Sequence, residues 1–253
     1  MLKSKHLIGL ENFPTSDLNK IIDTSFKFKE ILESPERKAI LLKGKTIVNM
    51  FFEDSTRTKI SFTLAEKRLG ADSINFSSST SSVKKGETLK DTIQNIDAMK
   101  IDGAVIRHGH PGSALKLTEY IDGSVINAGD GSHEHPTQAI LDMVTLKEKF
   151  GKIKNLKVGI IGDILNSRVA RSDIFALQKL GAEIVVCGPS TLLPSNAKQL
   201  GVNITHNIDE VLNWCDVVIG LRIQLERMHL GRIPSKREYH SEFGLTYERV
   251  SKL

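Results

Sequence analysis

Short apolar runs of strand length alternate with segments of helical periodicity along most of the chain. The spacing of apolar residues predicts a helix over Asp17 to Leu32, and the run Thr46 to Phe52 predicts a buried strand. A helix beginning near Ser55, a strand over Ser73 to Phe76, a helix near Thr88 to Met99 and a strand over Gly103 to Arg107 follow. Next come a helix around Ser113 to Tyr120, a strand over Ser124 to Asn127 and a helix from about Pro136 to Lys149. Across Gly151 a second set begins, with strands over Lys157 to Ile161, Glu183 to Cys187 and Val217 to Leu221. Its helices run over Ser167 to Leu180 and Asp209 to Trp214, and a last one starts within Ser235 to Phe243. This alternation predicts an α/β protein of two doubly wound domains, each a mainly parallel sheet with helices on both faces. The domain boundary is expected between Asp142 and Gly151, giving domains 1–145 and 146–253, and the serine cluster Ser77 to Ser82 is expected to be a loop.

Composition narrows the class. Forty per cent apolar and 26% charged residues describe a globular chain, excluding disordered and collagen-like classes. No apolar run approaches the roughly 20 residues of a bilayer span, and Met1 to Leu10 lacks the continuous apolar core of a secretory signal. A cytoplasmic location without membrane contact is therefore expected. Cys187 and Cys215 stand apart in apolar surroundings, without ligand spacing, and are expected to be reduced core residues. A net charge of +5 favours anionic partners. Nucleic acid is disfavoured, because the positive charge is spread and one Trp and three Tyr offer little stacking surface.

In open parallel sheets ligands bind beyond the carboxyl ends of strands, so polar residues there carry the chemistry. After the strand ending at Phe52, Ser55, Thr56, Arg57 and Thr58 fall on the first turn of a helix. Main-chain N–H groups, the positive helix end, hydroxyls and a guanidinium converge there, as a phosphate dianion requires. The plain alternative is that Ser55 is an N-cap followed by surface residues. His135 and Gln138, either side of Pro136 and Thr137, stand at i and i+3 at the start of another helix and share a face. The pairs His108 with His110 and His133 with His135 invite a zinc reading, but no third ligand at suitable spacing accompanies them, so no metal is expected.

The Ser-Thr-Arg-Thr run after a strand resembles the phosphate signature of the carbamoyltransferase family, and His135-Pro136-Thr137-Gln138 resembles its second signature. Lys84-Lys85-Gly86-Glu87 is similar to the mobile-loop motif of the aspartate branch, where a substrate with two carboxylates calls for added cations. The segment Gly162 to Ser172, with Arg168, and the segment Leu221 to Arg227, with Arg222 and Gln224, resemble the same branch.

What this resemblance implies is specific. The chain would transfer the carbamoyl group of carbamoyl phosphate to the amine of L-aspartate, an early step in making pyrimidines, with no cofactor. Carbamoyl phosphate would be held by Ser55, Thr56, Arg57, Thr58, Ser81, Lys85, Arg107, His135 and Gln138, and aspartate by Lys85, Arg168, Arg222 and Gln224. Thr58, Lys85, Arg107 and His135 would be catalytic, with Ser81 and Lys85 supplied by a neighbouring chain of a homotrimer with shared sites. Regulatory chains could attach to such a trimer. Family members continue past the position of Leu253 with a His-Pro-Gly-Pro-like segment and a final helix, so a C-terminal segment is expected to be missing here. Two alternatives stay open: a carbamoyl-phosphate-binding homologue without turnover, and an ornithine carbamoyltransferase, which Lys85 and the Arg222 segment disfavour.

Overall fold

Near-continuous burial along the central strands dictates the architecture. The computed structural model describes residues 2–77, 89–195, 200–224 and 235–251, and the chain forms two units, residues 1–140 and 141–253. The first contains α1 (Thr15–Glu33), β1 (Thr46–Phe51), α2 (Thr56–Arg68), β2 (Asp72–Ser77), α3 (Leu89–Asp97), β3 (Gly103–His108), α4 (Ser113–Leu117) and β4 (Ser124–Asp130). Its strands are all parallel, in the order β2-β1-β3-β4. Val48, Met50, Ala104, Ile106 and Val125 face one way, toward Ile93 of α3 and Ala114 and Leu117 of α4. The intervening Ile47, Phe51, Val105 and Ala128 face the other way, where Phe62 of α2 packs. Helices therefore cover both faces, as near-continuous apolar strands require.

Helix α5 (Pro136–Phe150) passes from the first unit into the second. There β5 (Lys157–Ile161), α6 (Arg168–Lys179), β6 (Glu183–Cys187), β7 (Asn203–Thr205), α7 (Ile208–Trp214), β8 (Val217–Gly220), α8 (Lys236–Phe243) and α9 (Tyr247–Val250) follow. The sheet is again parallel, in the order β7-β6-β5-β8. Ile161 and Cys187 pack with Ile208, Val211 and Leu212 of α7. A Cβ on Gly159 would overlap Val211 Cγ1, so α7 lies closer to β5 than any larger residue allows. Cys187 is fully buried and Cys215 half-buried, both as free thiols; burial pushes Cys187 up to about 11. Among the described residues, no helix is long and apolar enough to cross a membrane.

The sequence pattern missed β7 and α9, three and four residues long, because neither extends through two periods of its own repeat. Helix α4 stops at Leu117 rather than Tyr120, where the chain tightens into bonds from Thr118 N to Leu115 O and from Tyr120 N to Leu117 O. Strand β4 runs on to Asp130, which pairs with His108 after a register shift in β3, although Gly129 adopts φ 113°.

A buried polar cluster ties the N-terminal segment to the end of β4. Leu7 N donates to Val125 O and Asn127 N to Leu7 O, both at 2.9 Å, so the segment runs parallel to β4. Asn127 Nδ2 donates to Ile8 O (2.8 Å) and Asp130 Oδ1 (2.7 Å), and Glu134 Oε2 accepts from Leu10 N at 2.7 Å. Asp130, 1% exposed, also accepts from Gly112 N at 2.8 Å and meets His133 Nδ1 at 3.1 Å. Burial alone would raise the Asp130 carboxyl, but the hydrogen bonds from His133 and Asn127 outweigh it and hold the group below its ordinary range.

Gly159→Ala is expected to destabilise the chain by about 1–3 kcal/mol through overpacking against Val211, read as a lower midpoint in urea. Because the Asp130 carboxyl is depressed in the folded chain, its contribution is present above its unfolded value and is lost as pH falls through the folded one. Asp130→Asn should therefore lower the neutral-pH melting temperature and flatten its acid decline, and an unchanged acid limb would show that the carboxylate is not a source of it.

Candidate active site

Strand order determines where polar groups can collect. From β1 the chain crosses to β2 on one side and then to β3 on the other, so the two connections diverge above the carboxyl ends of β1 and β3. In the second sheet the divergence lies between β5 and β8, because β6 and β7 extend to one side and β8 returns to the other. Such a crevice is the ordinary ligand position of an open parallel sheet.

In the first unit, Phe51 pairs with Arg107, and Phe52 N donates to Arg107 O at 2.9 Å, bringing residues 53–58 beside the end of β3. Ser55 occupies the N-cap of α2 in extended conformation, yet its side chain caps no N–H. The plain alternative, a side-chain cap followed by surface residues, is therefore not what Ser55 forms. The Ser55 hydroxyl donates instead to Thr58 Oγ1 at 2.8 Å, leaving the first-turn N–H groups to a ligand or water. Thr56 and Arg57 are exposed at the positive end of the helix. Arg107, largely buried, points Nη1 at Ala128 O (3.2 Å) and Nε at Glu53 Oε2 (3.2 Å). Glu53, to which the sequence reading gave no role, thus holds the guanidinium in the absence of an anion. An acidic residue just past a strand end, two before the Ser55 to Thr58 turn, was the available signal.

His135, 8% exposed, sits just before Pro136, and its carbonyl accepts from Gln138 N at 3.1 Å. Its Nδ1 lies 3.4 Å from Thr137 Oγ1. Gln138 is half-buried on the first turn of α5. Ser55, Thr56, Arg57, Thr58, Arg107, His135 and Gln138 therefore all stand beyond carboxyl ends of one parallel sheet. His108, from the pair considered for zinc, accepts His110 N on Nδ1 at 2.9 Å and meets Ser113 Oγ at 3.0 Å. Burial, followed by the His110 charge, lowers its basicity.

The second unit has a corresponding arrangement. Ser167 caps α6 by accepting Ala170 N at 3.2 Å, and Arg168, 4% exposed, occupies the first helical position. Beyond β8, Arg222 Nη2 lies 3.4 Å from Gln224 Oε1, so the two residues paired in the sequence reading are in contact. The strand ends at Gly220, however, so their common side comes from a loop. That loop is fixed by Asp163, fully buried just past β5, which accepts Gln224 N at 3.1 Å and Asn166 Nδ2 at 2.9 Å. Asp163 is the second acidic residue without a role in the sequence reading. Ser81, Lys84 and Lys85 lie outside the described residues, as does most of the serine cluster.

Comparison with known proteins agrees with this geometry. Residues 5–148, more than half of the chain, match the family model described as aspartate/ornithine carbamoyltransferase, carbamoyl-P binding domain. The aspartate carbamoyltransferase catalytic subunit of Christiangramia forsetii is 52% identical over 252 residues, covering 100% of this chain and 81% of that one. Among solved structures, aspartate transcarbamoylase from Trypanosoma cruzi in complex with carbamoyl phosphate superposes with a TM-score of 0.88 at 29% identity. It covers 99% of this chain and 82% of that one. The catalytic subunit of M. Jannaschii aspartate transcarbamoylase gives 0.81 at 35% identity, over 94% and 79%. With a family model across the first unit and relatives aligned across both, the chain belongs to the aspartate/ornithine carbamoyltransferase family.

Proposed function

We propose that the protein is an aspartate carbamoyltransferase, which transfers the carbamoyl group of carbamoyl phosphate to L-aspartate, giving N-carbamoyl-L-aspartate and phosphate. The observation that carries this reading is the pair of anion-binding sets, one beyond each sheet's carboxyl ends: Ser55 to Thr58 with Arg107, and Arg168 with Arg222 and Gln224. One set suits a phosphate dianion and the other two carboxylates. Residues 1–145 then form the carbamoyl-phosphate domain and residues 146–253 the aspartate domain. Relatives named as this enzyme, about half identical over the whole chain, support the same assignment.

In this mechanism the uncharged amine of aspartate attacks the carbamoyl carbon. A C–N bond forms, the C–O bond to phosphate breaks, and phosphate leaves with the bonding pair while the amine loses a proton. Thr58, Arg107 and His135 donate to the carbonyl oxygen as it gains charge, and Gln138 holds the carbamoyl nitrogen. Ser55, Thr56, Arg57 and Arg107 bind the phosphate, and Glu53 yields Arg107 to it. Arg168 holds one carboxylate of aspartate, and Arg222 with Gln224 hold the other. Ser81 and Lys85 come from the adjacent chain of a homotrimer, with Lys85 touching both substrates. Ile60 and Leu64, exposed one turn apart on α2, and the exposed Ile40 and Leu41 support an assembly that covers them. Regulatory chains and a cytoplasmic location complete the reading. Fixing both substrates in register makes the encounter effectively intramolecular, worth several kcal/mol.

Phosphate release from carbamoyl phosphate is expected with L-aspartate and not with L-ornithine, and the reverse preference would overturn the assignment. Arg57→Ala should weaken carbamoyl phosphate binding about 10- to 100-fold, the cost of losing charge-assisted hydrogen bonds, as measured by calorimetry. Chains carrying Arg57→Ala, mixed with chains carrying Lys85→Ala, should regain activity that neither has alone; no regain would refute sites shared between chains.

A further inference from the structure

Helix α6 buries a carboxyl group that has no ordinary partner. Asp173 is 0% exposed, and neither of its carboxyl oxygens receives a hydrogen bond from an amide, amine or hydroxyl among the described residues. It lies between Ser172 and Ile174, both fully buried, on the face of α6 that also buries Ala176 and Leu177. The group it does meet is another carboxyl, that of the half-buried Asp142 on α5, within the same unit. Two ionised carboxylates in such a contact would repel in a setting that already penalises each charge.

The described charges nearby do not bond to Asp173. On α6 itself, Arg168 occupies the first helical position, and the Arg171 guanidinium lies 6.0 Å from the Phe175 ring centroid. On α5, Lys147 and Glu148 follow Asp142 by more than one turn. From β6, packed on α6, the charged residue is Glu183, exposed at the strand's start. None of these is a bonded cation for Asp173, whose two oxygens have no amide, amine or hydroxyl donor among the described residues.

We propose that Asp142 and Asp173 share one proton, making the contact between α5 and α6 a proton-dependent joint. In this arrangement the protonated carboxyl donates one O–H hydrogen bond to the other carboxylate, so the pair carries a single negative charge on the half-buried Asp142. Burial, reinforced by the charge of Asp142, pushes the Asp173 carboxyl well above the usual carboxylate range. The folded group therefore binds its proton more tightly than the unfolded one. The joint's contribution is complete below the unfolded value of about 3.9 and is lost as pH rises through the raised folded value. Because α6 presents Arg168 at its N-terminus, losing the proton loosens the helix that holds this guanidinium.

The test is the melting temperature of the full 253-residue chain across neutral and alkaline pH, for the wild type and for Asp173→Asn. The asparagine keeps the shape and donates to Asp142 without titrating. The wild type should lose melting temperature relative to Asp173→Asn steadily as pH rises; parallel curves would overturn the shared proton. Should Asp173→Asn fail to fold, the infrared spectrum of the wild type decides. A carbonyl stretch of a protonated carboxylic acid should persist at neutral pH and disappear on alkalinisation, and its absence at neutral pH would overturn the proposal.

Discussion

Parallel pairing is the constraint on which the rest depends. Each strand in both sheets runs the same way as its neighbour, so all carboxyl ends within a sheet lie on one side. Residues far apart in sequence then need only follow a strand to share a neighbourhood, as Glu53 after β1 and Arg107 at the end of β3 do across 54 positions. The change of crossover direction, between β1 and β3 and again between β5 and β8, keeps the connections from closing over those ends. The sheets pack against helices through apolar side chains, which leaves polar chemistry to the strand ends and the first turns of α2, α5 and α6.

Loops at strand ends are buried here, and buried main-chain N–H groups require acceptors. Acidic side chains supply them. Asp130 accepts Gly112 N and Glu134 N, Glu134 accepts Leu10 N, and Asp163 accepts Asn166 N and Gln224 N. In each case one carboxylate joins segments that the chain path separates, by 124 residues for Glu134 and Leu10. Arg222 thus rests on a loop whose shape is set by the buried Asp163. A net charge of +5 does not reveal this division, because these acids and bases both count in it but lie at different depths.

The fold was legible in the sequence because apolar periodicity reports burial, and burial on both sheet faces produced long, unambiguous runs such as Lys157 to Ile161 and Gly103 to Arg107. Elements shorter than two repeats, β7 and α9, carry no such signal. The cationic and hydroxyl residues were legible because each follows a strand and meets a known ligand chemistry. Glu53 and Asp163 were not, since their role is toward other protein groups, Arg107 in one case and the main chain of Gln224 in the other. Those partners lie 54 and 61 positions away, and only the pairing of β1 with β3 and of β5 with β8 brings them near. The partner of the Ser55 hydroxyl was hidden for a related reason: the N-cap position is local, but the choice of Thr58 over a main-chain N–H depends on the extended turn at the strand's exit.

The chain uses two opposite solutions for a carboxyl group removed from water. Asp130 is surrounded by donors, so the charged form is favoured and acid is what threatens it. Asp173 is surrounded by apolar residues and one further carboxyl, so the neutral form is favoured and alkali is the threat. The first solution holds the loop that leads to His135; the second holds the helix that begins at Arg168. Acid therefore removes the contribution of a group in one unit, and alkali that of a group in the other.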